Sequence, residues 1–130
     1  MIYPKMRAVL FMRVNRRFIS HQLLAARAIE RQRELGRAVV HKLQATIVRE
    51  YIDVSGAVRL DNRPELQAML LSLKHYPVQY VIAEDWPVFG SDPNLTTAVL
   101  TAITDAGAEL VIGDGALGRR DGTDDLELAA

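Results

Sequence analysis

Four short runs of apolar and β-branched residues each lead into side chains able to handle a phosphate or a proton. They end at Arg13 to Asn15, at Asp53, at Glu84 to Trp86, and at Gly113-Asp114. A guanidinium is a planar fork suited to charge on phosphoryl oxygens. A carboxylate can hold such a fork or move a proton. Two hydroxyls lie nearby. Ser20 stands at an expected helix cap with no base beside it, and Ser55 lies in a loop, so neither reads as a nucleophile. His21, His41 and His75 lack metal-ligand spacing, and there is no cysteine; no metal or thiolate chemistry is expected. Gly113, Gly115 and Gly118 have the outline of a phosphate loop but precede no convincing helix, so no cofactor is expected.

The elements that would carry these residues alternate. Residues 8–12 form an apolar run suited to a strand buried on both faces. Ser20 is the expected cap of a helix to about Leu43, with a stripe of Leu23, Leu24, Ala28, Leu35, Val39 and Leu43. Gly36 interrupts that stripe and suggests a weak point or a break between two helices. Residues 46–52 read as a second strand. Asn62 is the expected cap of a helix with Pro64 in its first turn and Leu66, Met69, Leu70 and Leu73 as its buried stripe. Residues 79–83 form a third strand. Asp92-Pro93 opens a helix to about Asp105, closed by Ala106-Gly107, and residues 109–112 form a fourth strand. The pattern predicts an α/β three-layer sandwich with a mostly parallel sheet of about four to five strands. The domain is expected over residues 1–112 and a flexible Gly/Asp-rich tail over 113–130. In such sheets functional groups gather at the carboxyl ends of the strands, where the four sets of residues above fall.

Composition sets the class. The chain has 130 residues, 49% of them hydrophobic and 25% charged, which suits one globular domain. No apolar run reaches the length of a membrane span, and no signal sequence is evident, so a cytoplasmic location is the expectation. Net charge is zero, but residues 1–63 carry 13 Lys/Arg against 5 Asp/Glu, and residues 64–130 carry 3 against 11. This asymmetry fits either a phosphate-facing surface or an Arg-rich solvated helix facing the acidic C-terminal half, within one molecule or between two. Arg16, Arg17, Arg27, Arg31 and Arg37 are the cations such a surface would use.

Several motifs then converge. Arg13-Val14-Asn15 ends the first strand. Ala28-Ile29-Glu30-Arg31-Gln32 lies in the first helix, and Tyr51-Ile52-Asp53 ends the second strand. Arg63-Pro64-Glu65-Leu66-Gln67-Ala68-Met69-Leu70 opens the second helix. Over residues 7–112 the chain resembles the catalytic domain of the resolvase/invertase family, the serine recombinases. That family has Arg-Val-Ser, Ser-Ile-Glu-x-Gln, Tyr-x-Asp and Arg-Pro-x-Leu-x-x-Met-Leu at the corresponding places. The resemblance implies a DNA strand-exchange site built from Arg13, Gln32, Asp53 and Arg63, with its nucleophilic serine replaced by Asn15. A carboxamide cannot form the phosphoseryl bond.

The family's Lys-x-Asp-Arg-Leu-x-Arg stretch aligns with Asp85-Trp86-Pro87-Val88-Phe89-Gly90-Ser91, which lacks the three cations and the candidate acid. The resemblance therefore implies a degenerate, catalytically inactive member, an assembly or regulatory module in DNA recombination or a mobile element. Its partner would be a second copy or a related recombinase. DNA contact would be weak, since no recognition helix follows Ile112. A residual strand-exchange enzyme and a small-anion or nucleotide binder are the alternatives. The site residues also have plainer readings. Arg13 can pair with Asp53, Gln32 can be an exposed helix residue, and Arg63 can bind an acidic loop group. Trp86 and Phe89 can plug the cleft or meet a partner.

Overall fold

The computed structural model describes residues 6–14, 21–54, 63–85 and 92–113. They form β1 (Met6–Val14), α1 (Gln22–Leu43), β2 (Ala45–Val54), α2 (Pro64–His75), β3 (Tyr80–Ala83), α3 (Pro93–Asp105) and β4 (Glu109–Ile112). The four strands make one parallel sheet in the order β2-β1-β3-β4. β1 is continuously apolar from Ala8 to Met12 because it lies inside the sheet and is covered on both faces. Ala8, Leu10 and Met12 join Val39 of α1 in one cluster. Val9 and Phe11 join Leu66, Met69 and Leu73 of α2 and Leu95, Val99 and Ile103 of α3 in the other. The result is the expected three-layer α/β sandwich.

Strand order sets where a site belongs. The crossover through α1 carries the chain from β1 to β2 on one side; α2 then carries it back past β1 to β3 on the other. The helices consequently lie on opposite faces, and the crevice between β1 and β3 opens at their carboxyl ends.

β2 contains a device that the sequence pattern hides. Ala8 pairs with Ile47 but Val9 pairs with Arg49, so Val48 is an extra, bulged residue. The bulge reverses the alternation of side chains beyond it. Ile47 packs on the α1 side and Tyr51 on the α2 side, although an unbroken strand would place both on one face. Asp53 follows Tyr51 and is thereby delivered toward α2.

Three local expectations are corrected. α1 is one unbroken helix through Gly36. Gly36 is buried there, and a Cβ would lie 2.9 and 3.0 Å from the two Leu10 methyl carbons and 3.4 Å from Ile47 Cδ1. The glycine is a close-approach residue that lets α1 settle onto β1 and β2. Gly36→Val should therefore overpack the interface and cost about 1–3 kcal/mol. A urea titration should show a lower midpoint at unchanged slope, against a change of about 0.5 kcal/mol for Ala38→Val on the exposed face. A loss at Gly36 no larger than at Ala38 would contradict the close-approach reading.

The caps also differ. His21, not Ser20, holds the N-cap of α1 and makes no side-chain cap bond. Arg63, not Asn62, holds that of α2, with Pro64 at the first helical position. Ser20 and Asn62 lie outside the described residues. α3 follows the expected pattern, its Asn94 N–H donating to Asp92 Oδ1 at 3.1 Å.

The stripe of α1 is corrected at its start: Leu23 and Leu24 are 63% and 44% exposed. Val39 is buried and Leu43 packs beside it, as expected, and Gln32 and Gly36 are buried as well. Gln32 bonds Arg13 near the end of β1. Before Ile29, α1 contributes no residue to the core cluster on its face of the sheet.

Candidate functional site

The site is built at the carboxyl end of β1 and β2. Arg13 and Asp53 are sheet neighbours in register. Asp53 is buried, as is Arg63 at the N-cap of α2. The Arg63 guanidinium donates from Nε and from Nη2 to the same oxygen, Asp53 Oδ2, each at 2.7 Å. A buried cation and anion in this geometry satisfy each other, and both are withdrawn from solvent. Arg63 thus takes an acidic partner on a strand end, not in a loop.

Gln32 reaches the same end of β1 from the opposite face. Its Oε1 accepts from the Arg13 N–H at 3.0 Å, and its Nε2 donates to the Arg13 carbonyl at 2.9 Å and to the Ala28 carbonyl at 3.0 Å. The plainer expectation of an exposed helix residue is overturned: Gln32 is buried. The apolar periodicity of α1 gave no signal for this, because a glutamine occupies a core-facing position.

A second ion pair crosses the rim. Arg31 binds Glu84, just beyond β3, in a fork: Nε to Oε2 and Nη2 to Oε1, both at 2.9 Å. The Glu84 hydrogen bond raises the Arg31 guanidinium above its ordinary value; partial burial opposes this, and the charges of Glu84 and Asp85 add to it. The Arg31 side chain is 63% exposed, so its contribution to stability is small. Arg31→Ala should change the unfolding free energy by less than about 1 kcal/mol, and molar salt should shrink even that difference. A larger, salt-independent loss would show that the rim pair is a structural tie.

Two of the five cations expected on a basic surface, Arg31 and Arg37, are paired with carboxylates. Arg31 pairs with Glu84, Arg33 with Glu50 and Arg37 with Glu30. His21, His41 and His75 are exposed, and no metal-holding cluster exists among the described residues. Gly113, first residue of the expected tail, is buried, and a Cβ there would strike Leu35. Asn15, Ser55, Trp86, Phe89, Arg16, Arg17 and residues 114–130 lie outside the described residues. The structure therefore brings together Arg13, Gln32, Asp53 and Arg63, four of the five site residues named from sequence. It adds the Arg31–Glu84 pair, whose members were named in sequence separately, Arg31 among the surface cations and Glu84 at a strand end, with no signal that they meet.

Comparison with known proteins gives one family. Residues 12–129 match the family described as "Resolvase, N terminal domain". The fold is similar to that of a resolvase family site-specific recombinase from Streptococcus pneumoniae, with TM-score 0.68, 18% identity, and 86% of this chain and 74% of that chain covered. It is also similar to the C-terminal catalytic domain of ISC1926 TnpA, an IS607-like serine recombinase, with TM-score 0.65, 15% identity and coverage of 82% and 70%. The N-terminal catalytic domain of TP901-1 integrase gives TM-score 0.63, 17% identity and coverage of 85% and 78%. At such identities the likeness is one of fold. No curated protein matches the chain.

Proposed function

The chain belongs to the resolvase N-terminal domain family, and from that premise we propose that it is a serine-recombinase-like domain that does not cut DNA. It serves instead as an assembly or regulatory module in DNA recombination or a mobile element, pairing with itself or with a related, active recombinase. One observation carries this reading: asparagine stands at position 15, where the family motif has its nucleophilic serine. The scaffold around that position is retained while its chemistry is not. Asp85 supports the same reading, since a carboxylate at the place of the family's lysine repels a phosphodiester. So does the pairing of Arg63 with Asp53, which commits two of the four site residues to each other.

The test has two parts. Purified protein incubated with supercoiled plasmid should give no denaturation-resistant protein–DNA adduct; an adduct would establish a residual enzyme. Sedimentation at tens of micromolar, alone and mixed with an active recombinase of the family, should show self-association or a mixed species. A monomer that leaves the rate of the active enzyme unchanged would remove the assembly role.

A further inference from the structure

We infer that Gln32 is a positioning residue: its carboxamide takes the place of a β3 partner beyond Ala83 and fixes the backbone of Arg13 at the end of β1. The inference rests on the family reading only for the meaning of Arg13 as a site residue.

β2 accompanies β1 along its whole length, as far as Val14 opposite Val54. On the other side β3 ends with Ala83 opposite Phe11. At this half-buried strand end a backbone N–H and C=O still need hydrogen-bond partners. Gln32 answers both groups of Arg13 at once, its Oε1 accepting and its Nε2 donating. These are the two bonds that one more step of parallel strand would supply. The other Nε2 proton returns to the Ala28 carbonyl one turn earlier in α1, which sets the plane of the amide. Only a carboxamide combines an acceptor and two donors in one planar group. Gly36, one turn further along the same face, admits the close approach to Leu10 that brings Gln32 within reach of Arg13. With both donors used and the side chain buried, Gln32 is directed at the protein's own backbone, not at a bound phosphate.

The experiment is residue-resolved amide exchange on the 15N-labelled full chain, with Gln32→Met and Gln32→Glu beside it. In Gln32→Met the Arg13 amide should exchange about tenfold faster, while Val9 and Leu10 on the same strand keep their rates. Unchanged exchange at Arg13 would overturn the inference. Uniform acceleration along β1 would do so too, because it marks an ordinary core residue. In Gln32→Glu the introduced carboxyl holds both a donor and an acceptor only when protonated. Protection at Arg13 relative to Leu10 should therefore approach the wild-type ratio at low pH and fall toward that of Gln32→Met as the pH rises; a flat response would count against the inference. Should Gln32→Met fail to fold, the unaltered protein still decides. The Gln32 Nε2 protons should exchange far more slowly than those of exposed Gln22, and equal rates would refute the assignment.

Discussion

Replacing Arg63 by methionine should lower the unfolding free energy by about 3–5 kcal/mol. The Arg63 guanidinium and the Asp53 carboxylate are buried and bonded through Nε and Nη2 to one oxygen. Removing the cation leaves Asp53 without it among packed side chains, and a buried, uncompensated carboxylate is costly. For a domain of this length the loss corresponds to about 10–20 °C in Tm. Arg63→Lys keeps the charge but cannot reproduce the fork, so it should fall between. The decisive comparison is the double variant Arg63→Met with Asp53→Val. It removes both charges, so it should be more stable than the sum of the single losses allows, and the coupling in a double-mutant cycle measures the pair. A single-variant loss under about 1 kcal/mol would place this pair with the exposed Arg31–Glu84 bridge and deny it a structural role.

The contrast between these two ion pairs shows what sequence can and cannot reveal. Arg63-Pro64 and Tyr51-Ile52-Asp53 were legible as motifs, and so was the rim they share, because strand–helix alternation fixes which ends of the strands gather. Their pairing was not legible. It depends on the Val48 bulge, without which Asp53 would face α1. A bulge of this kind inserts one ordinary residue into a β-rich run and leaves no trace in composition. It depends also on Arg63 occupying the cap of α2, where side-chain preference alone points to Asn62. Gly36 misled for a related reason. Helix propensity treats it as a weak point, but the distance from α1 to Leu10 makes the missing Cβ an advantage. Gln32 was legible by resemblance and its environment was not, since periodicity sorts polar from apolar and has no category for a polar group that completes a sheet.

On the proposed reading, Asn15→Ser should not produce DNA cleavage, because the serine is only one of the family-motif residues that are replaced in this sequence. In-line attack on a phosphodiester builds charge on the non-bridging oxygens, and each preorganised donor removed from such a site costs on the order of 10²–10³ in rate. Against the family motif, Asp85, Val88 and Ser91 stand where three cations are expected, and Pro87 stands where the leaving oxygen would find its acid. Effects of groups that act together are not additive. Even the loss of two clamps, at roughly 10⁴ or more, puts strand cleavage by Asn15→Ser beyond an overnight assay. The expected result is no covalent adduct on supercoiled plasmid from either the unaltered chain or Asn15→Ser. An adduct from Asn15→Ser alone would show that the groups lost between residues 85 and 91 are dispensable here and that a single substitution silenced the site. The gain-of-function arm combines Asn15→Ser with Asp85→Lys, Pro87→Asp, Val88→Arg and Ser91→Arg. Arg13, Gln32, Asp53 and Arg63 already converge at the end of β1, so an adduct from this combination would show that the scaffold still aims its groups at a scissile phosphate. Silence from it, in a protein that still folds, would mean that more than these five positions separates the chain from a DNA-cleaving site.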